Sequence, residues 1–547
     1  MSTLRSSQVR TACGNCRFRK VKCDGLKPVC TQCLTRTSLN DECDYGDSNG
    51  VTTSEELQST IQKLEARLHE LEYGTTPGAV RLYHIGDSNE GIHPRGPSVE
   101  RIRVSEDSPL DSRRAALQTF LSQHASAFAF FLNHSRFAQN ALSILPSGHP
   151  HRPCSGLLNT VYYIASALRQ GSDAKIPAEL LLEAIGILAT DNPTKIVQAI
   201  QAEVLLASWF LYFNKILEGK YHLGTAISLA VGAGLHKIRS PNPTSGFTRG
   251  MSLPSPLDGI EEGERIVGFW HVYAMSSIWD AILGPSTLCA ILDGDGKGID
   301  TPWAWDMRDY EQAAIPVDLT GGLTVHSFLA HTPSSTNGMS AISMFAKAST
   351  LFSKSKNFAD SVSSTSLTPS GITNGVTNYL QYLDNLIDEF TSALTPLGPP
   401  NTMGIPAPAL HLTILTHTLA YTSTIHLHSP FAVTDARSST KSLSAANLVS
   451  QLLPHIDYLV SDTNGRSTSI NPAFGALWLT VGRVFVNELV RLRGLRTSSA
   501  GTGTSRASEI IAMLRTLRST MTLVGQRCPF VASQLAKLND IAPYESR

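Results

Sequence analysis

Six cysteines near the start of the chain constrain its architecture more than any other feature. They follow the spacing C-x2-C-x6-C-x6-C-x2-C-x9-C, at Cys13, Cys16, Cys23, Cys30, Cys33 and Cys43. The polar, basic sequence before them lacks the apolar segment of a secretory signal, so we expect a reducing compartment. Clustered cysteines in such a compartment bind metals more often than they form disulfides. The pattern therefore predicts a small module that is held together by metal.

The spacing divides the cluster into two similar halves, each with a C-x2-C pair and a third cysteine. Because tetrahedral zinc takes four ligands, two ions need eight ligand positions, and six thiolates fill them only if two sulfurs bridge both ions. The near-symmetry makes Cys13 and Cys30, the first cysteine of each half, the expected bridging pair. An alternative, a single-ion zinc ribbon on the two C-x2-C pairs, would leave Cys23 and Cys43 without metal.

Positive charge is concentrated in the same part of the chain. Residues 1–46 contain eight Lys or Arg and four Asp or Glu, whereas the whole chain has 45 of each class. Between Cys16 and Cys23 the basic residues are Arg17, Arg19, Lys20 and Lys22. The equivalent segment of the second half has one basic and two acidic residues, so we expect only the first half to face a polyanion. A short basic helix there would fit the DNA major groove, where Lys and Arg donate to guanine.

The segment 10–46 resembles the Zn2Cys6 binuclear cluster of fungal transcription factors. The resemblance rests on the six-cysteine spacing, the basic block, the Cys23-Asp24 step and Pro28. It implies two Zn²⁺ per chain and a CGG-like triplet as the DNA half-site. It also implies that Lys20, with Arg19 beside it, reads bases, while Arg17 and Lys22 face phosphates, which position a protein on DNA.

A short heptad pattern follows the cysteine module. Residues 54–73 carry apolar side chains with 4-3-4-3 spacing, which is typical of the a and d positions of a coiled coil. These residues are Leu57, Ile61, Leu64, Leu68 and Leu71. We interpret 54–73 as a dimerisation helix and 47–53 as a linker. An amphipathic helix that packs on its own chain is the alternative.

The remainder of the chain is predicted to be all-α. Residues 74–115 mix glycine, proline and charge and are interpreted as a flexible connector. From 116 to 547, apolar residues recur with helical spacing. We expect long helices over 191–219, with Pro193 at the first turn, over 220–237, which ends in glycines, and over 261–284, which begins with glutamates. The fold class is therefore mostly α, with a small zinc module, a short coiled coil and a large helical domain.

The helical region resembles the fungal-specific transcription factor regulatory domain, also called the middle homology domain. The motifs are "YHLGTAISLAVGAGLHK" (221–237), "ERIVGFWHVYAMSSIWDAILGPST" (264–287) and "LTHTLAYTSTIHLHSPF" (415–431). No nucleotide-binding, serine-hydrolase or metalloprotease motif occurs, so we expect no enzyme.

Together these features predict a nuclear regulator of transcription by RNA polymerase II that binds double-stranded DNA as a homodimer. Transcriptional co-regulators are its expected partners, and no uninterrupted apolar run reaches the ~18 residues of a membrane span. The alternative is a helical interaction protein, or an enzymatic body, whose zinc cluster serves RNA or protein binding.

Overall fold

The computed structural model divides the chain into two compact units, Met1–Glu100 and Arg101–Arg547. The structure describes residues 12–13, 16, 20–26, 29–34, 109–146, 149–170, 195–241, 253–284, 298–312, 315–316, 319–332, 338–364, 374–399, 406–461, 468–496 and 503–541. The described part of the first unit is the cysteine module. The described part of the second unit is a helical body.

The cysteine module is organised around thiols rather than around apolar side chains. Its buried cluster consists of Cys13, Cys16, Cys30 and Cys33, against which Cys23 and Val29 pack. The helix of this unit whose bounds the structure gives is α1 (Thr31–Leu34), a single turn. A turn this short is not stable by itself in water, so the groups that converge on the thiols must stabilise it.

The helical body contains long helices joined by loops. In chain order they are α2 (Leu110–Thr119), α3 (His134–Leu142), α4 (Ser155–Gln170), α5 (Ile196–Tyr212), α6 (Ile216–Gly232), α7 (Gly259–Leu283), α8 (Met307–Gln312), α9 (Thr324–Leu329), α10 (Ala341–Ser364), α11 (Asn374–Ala393), α12 (Ala407–His428), α13 (Ala436–Val460), α14 (Ala473–Arg496), α15 (Gly503–Gly525) and α16 (Pro529–Ile541). The stretches that the structure describes contain no β-strand, which confirms the predicted mostly-α fold class.

One continuous hydrophobic core runs through the body. Helix α5 lies inside it, and Gln198 is its only residue that is not buried. Trp270 on α7 is fully buried, stacks on Trp303 with ring centroids 4.3 Å apart, and donates its indole N–H to the carbonyl oxygen of Pro302 at 2.8 Å. The aromatic residues of the sequence motifs therefore serve packing.

Two helices, α7 and α14, are long and apolar enough to cross a membrane by length and composition. The sequence shows no uninterrupted apolar run because isolated polar residues interrupt both segments. In the body, 72% and 67% of their most apolar windows are buried. Core helices of soluble proteins show the same combination, so these two helices give only weak support for a membrane span.

Two observed helix boundaries differ from the sequence expectation. In the body, α2 starts at Leu110, before the helical region expected from 116, directly after Pro109 and with Asp111 in its first turn. The helix expected over 191–219 is interrupted after Tyr212. There Asn214 adopts φ of 61° and the N–H of Lys215 donates to the carbonyl oxygen of Phe210 at 2.8 Å. This is the left-handed C-terminal cap that asparagine tolerates better than most residues.

A buried polar network joins α11, α12 and α13. The carboxylate of Asp384 accepts from His428 Nε2 at 2.9 Å and from Lys441 Nζ, and His428 Nδ1 lies 3.0 Å from the hydroxyl of Ser438. Burial opposes ionisation, yet these two donors lower the pKa of Asp384 to about 2. Although the residue types are those of a hydrolase triad, Ser438 is buried and donates to Asp435, the N-cap of α13. The network therefore fixes the packing of three helices.

Candidate metal centre and nucleic-acid interface

The sulfurs of Cys13, Cys16, Cys23 and Cys30 all lie within 4.8 Å of one another. Cys13 Sγ is 3.9 Å from Cys30 Sγ, and Cys16 Sγ is 3.6 Å from Cys30 Sγ. Thiolates that bind zinc at 2.3 Å in a tetrahedron are about 3.8 Å apart. These residues therefore fit a tetrahedral metal ion.

A fifth thiol lies at the same cluster. The sulfur of Cys33 is 3.9 Å from that of Cys13 and 4.0 Å from that of Cys16. One tetrahedral ion takes four ligands, so five converging thiols exceed what a single ion needs. Among the residues that the structure describes, no other group of three or more His, Cys, Asp or Glu side chains converges in this way.

The surroundings of the thiols act on their pKa values in opposite directions, since burial raises the pKa of Cys13 and of Cys16. The N–H of Cys16 donates to Cys13 Sγ at 3.5 Å. Desolvation raises the pKa of the Cys30 thiol, but the backbone N–H of Cys33 and the neighbouring thiols outweigh it and lower the value to about 6. Metal binding requires thiolates. The local fold therefore supports the metal-coordinating thiolate at Cys30.

Asp24 connects the two halves of the cluster. Its carboxylate accepts from the backbone N–H of Thr31 at 3.2 Å and from the Thr31 hydroxyl, and the hydroxyl contributes most to lowering the pKa of Asp24. Since Thr31 begins α1, which carries Cys33, this contact holds the second C-x2-C pair against the end of the first half. Sequence reasoning noted the Cys23-Asp24 step but assigned no role to Asp24.

The described basic residues of the first half face solvent. Lys20 and Lys22 are exposed, and Val21 between them is 43% exposed. Lys20 adopts φ of 53°, and the N–H of Val21 donates to the carbonyl oxygen of Cys16 at 3.1 Å. A six-to-one hydrogen bond around a left-handed residue is typical of a helix C-terminus. Lys20 therefore lies in a turn that closes the segment, where the sequence analysis expected it on a helix.

Several predicted site residues lie outside the described residues. They are the sixth cysteine, Cys43, the basic residues Arg17 and Arg19, and the heptad residues Leu57, Ile61, Leu64, Leu68 and Leu71. Their roles stay predictions. The structure brings together five of the six predicted metal ligands and exposes two of the four predicted DNA contacts.

Comparison with known proteins agrees with this geometry. Residues 11–50 match the fungal Zn(2)-Cys(6) binuclear cluster domain. The chain therefore carries this domain, and its cofactor is zinc, with two ions bound by six cysteines.

Similar proteins include several that are named as regulators of transcription. The chain is 34% identical over 115 residues to Transcriptional activator protein acu-15 of Neurospora crassa, across 19% of this chain and 12% of that protein. It is 38% identical over 131 residues to Transcription regulator galc of Aspergillus niger, across 21% and 15%. It is 30% identical over 111 residues to Zinc finger transcription factor YRR1 of Saccharomyces cerevisiae, across 18% and 13%. The matches thus cover a small part of each relative.

Proposed function

We propose that this protein is a nuclear, sequence-specific DNA-binding regulator of transcription, and not an enzyme. The observation that carries the proposal is the convergence of five cysteine thiols within a segment that matches a binuclear zinc domain. The names of the relatives, which are regulators of transcription, support it. Residues 116–547 would form the regulatory domain of the fungal-specific type.

For the metal centre we propose one ion on Cys13, Cys16, Cys23 and Cys30, and a second on Cys13, Cys30, Cys33 and Cys43. The first set is the group whose sulfurs converge within 4.8 Å. The second shares Cys13 and Cys30, which are both fully buried. Zinc bound in this way supplies structure, and the chain's own residues supply recognition.

For DNA recognition we propose that Lys20 reads a base in a CGG-like triplet, assisted by Arg19, while Arg17 and Lys22 contact phosphates. The exposure of Lys20 and Lys22 beside the cluster supports this division. The left-handed backbone at Lys20 turns the chain within the basic segment. A base edge can therefore meet both the side chain and the adjoining backbone at this point.

Substitution of Lys20 tests the assignment. We expect Lys20→Ala to reduce affinity for the preferred site by about 1–3 kcal/mol and to leave random DNA nearly unaffected, because base contacts carry the sequence information. Lys22→Ala is the matched control and should weaken all sequences alike and reduce the salt slope by about one contact. Fluorescence anisotropy at several salt concentrations measures both. Equal loss on specific and random DNA in the Lys20 variant would exclude base reading.

The alternative is that the cluster binds RNA or protein. Competition of labelled duplex DNA with unlabelled single-stranded RNA of the same sequence separates the two. Displacement by RNA at lower concentration than by duplex DNA would favour the alternative. A complex with labelled duplex DNA that persists in the presence of the RNA would support recognition of duplex DNA.

We further propose that residues 54–73 dimerise the protein on paired half-sites. The a and d residues are few, and isolated helices shorter than ~12–15 residues are marginal in water, so dimerisation in dilute solution should be weak. Binding to DNA raises the effective concentration of the second copy.

Leu64→Pro tests the dimerisation helix, because proline within a helix costs ~3 kcal/mol or more. We expect tight binding to paired triplets to be lost and weak binding to a single triplet to be retained. Leu64→Ala, which keeps the helix, should give a smaller loss. Gel shifts measure both kinds of binding. Unchanged binding of the proline variant to paired triplets would show that the dimer contact lies outside residues 54–73.

A further inference from the structure

A cavity of about 420 Å³ opens between helices α12, α13 and α14 of the body. Ile425 and Leu443 line it and are buried, and Val484 lines it from α14. At its mouth, Val433 is 96% exposed and Val490 is 61% exposed. Pockets for small molecules typically measure ~300–1,000 Å³ and are lined mainly by apolar groups. This cavity fits that description in size and in walls.

One buried polar group in the cavity wall has no partner. Ser442 on α13 is 3% exposed, lines the cavity, and its hydroxyl makes no hydrogen bond to any described residue. Two other hydroxyls nearby are satisfied: Ser429 donates to the carbonyl oxygen of His426, and Ser438, one turn before Ser442, donates to Asp435. Buried hydroxyls are normally paired, so Ser442 offers a hydrogen bond to an occupant of the cavity.

The two charged side chains that line the cavity, Glu488 and Arg491, pair with each other. Arg491 donates to both carboxylate oxygens of Glu488 at 2.6 and 2.7 Å, and Arg506 lies 3.5 Å from the same carboxylate. A charged ligand would find no unpaired counter-charge here and would lose its hydration without compensation. The cavity therefore favours an uncharged molecule.

The walls of the cavity are held in place before any ligand binds. Asp384 on α11 ties the end of α12 to the start of α13 through His428 and Lys441. These contacts lie next to the cavity along both helices, since Ser429 follows His428 and Ser442 follows Lys441. A preformed site spends less of its binding energy on ordering the protein.

We propose that this cavity binds a compact, largely apolar, uncharged molecule with one hydroxyl or carbonyl group, which pairs with the Ser442 hydroxyl. The site is independent of the DNA-binding function, because all its residues lie in the helical body. The ligand enters past Val433 and Val490, and its apolar part packs against Ile425, Leu443 and Val484.

Three probes with one carbon skeleton test this inference on the full-length, zinc-loaded protein: 2-naphthol, naphthalene and 2-naphthoate. They supply an uncharged hydroxyl, no polar group and an anion, respectively. Isothermal titration calorimetry should show one saturable site for 2-naphthol, weaker binding of naphthalene and weaker binding still of 2-naphthoate. Tighter binding of the anion, or no saturable binding of 2-naphthol, would overturn the proposal.

Two serine variants locate the site. Ser442→Ala should lower the affinity for 2-naphthol by about 3- to 10-fold, the effect of one hydrogen bond, and leave naphthalene binding unchanged. Ser355→Ala is the matched control, because Ser355 on α10 is also fully buried with an unpartnered hydroxyl but does not line the cavity. It should change neither affinity. Unchanged 2-naphthol binding in the Ser442 variant, or an equal loss in the Ser355 variant, would show that the cavity is not the site.

Discussion

The cysteine module and the helical body reach a folded state by different physical means. The buried cluster of the module consists of thiols, and among the described residues Val29 is the one other apolar side chain packed against it. The body buries one continuous apolar core that includes fully buried tryptophans such as Trp270 and Trp478. Metal coordination stabilises the cysteine module, whereas burial of apolar surface away from water stabilises the helical body. The stability of each unit should therefore respond to different treatments.

Removal of zinc should produce the largest effect and should act on one unit only. Structural zinc contributes about 10–16 kcal/mol in small modules, so a chelator should unfold residues 12–34 and abolish DNA binding. The helical body has no such dependence, and its thermal transition should not move. Hydrogen exchange by mass spectrometry reads both units in the same sample. If the chelator shifted the thermal unfolding transition of the helical body, the stabilities of the two units would depend on each other.

Cysteine substitutions sharpen this expectation. Cys13→Ala should reduce zinc content below one ion per chain, because this residue is proposed to bind both ions, while Cys16→Ala should leave close to one. Cys528→Ala, a buried cysteine of the body, is the control and should keep two. Equal zinc loss from the Cys13 and Cys16 variants would contradict the bridging assignment.

A core substitution in the body provides the reverse test. Trp270→Ala removes a fully buried indole and its stacking on Trp303, and such truncations cost about 3–5 kcal/mol. Chemical denaturation should show this loss, and zinc content should stay at two ions per chain. Tyr458→Ala, at a position 51% exposed, should cost less than about 0.5 kcal/mol. Loss of zinc from the Trp270 variant would show that the cysteine module and the helical body do not fold independently.

The two units should also respond to pH in opposite directions, with a smaller effect. Burial raises the pKa of Glu264 on α7 from 4.5 to about 7, although the N–H of Asn133 donates to its carboxylate at 2.9 Å. The folded body therefore holds this proton more tightly than the unfolded chain. The contribution of Glu264 to stability is complete below pH 4.5 and is lost as pH rises through 7. Zinc binding by thiolates weakens over the same range as pH falls.

Glu264→Gln measures this contribution. The free energy of unfolding of the parent, relative to the variant, should fall by on the order of 2 kcal/mol between pH 4.5 and 7.5, since one pKa unit corresponds to 1.36 kcal/mol and the carboxyl is only partly buried. Glu261→Gln on the same helix, a carboxylate paired with Arg265, is the control. Parallel pH profiles of the parent and the Glu264→Gln variant would refute the assigned pKa.

The sequence predicted best what depends on local chemistry. Cysteine spacing identified five thiols that the structure brings together, and the glutamates and glycines placed the ends of α7 and α6 within a few residues. Prediction from the sequence failed where the backbone conformation of a residue depends on the surrounding fold. Neither Lys20 nor Asn214 is a glycine, so their left-handed conformations were not foreseen.

Features that join distant parts of the chain could not be predicted at all. The network around Asp384 spans three helices, and the cavity beside Ser442 is lined by side chains from three helices. Periodicity identifies which face of a helix is buried, but it does not identify the facing residues on other helices.

The thiol core of the module has a further consequence for the order of events during folding. Apolar chains collapse within microseconds without any other molecule, and the body can follow that course. The described residues of the module bury almost no apolar side chain, so their structure must wait for an encounter with metal ions. The time at which a newly made molecule becomes competent for the proposed binding to DNA is then set by the supply of free zinc, while the helical body is already folded.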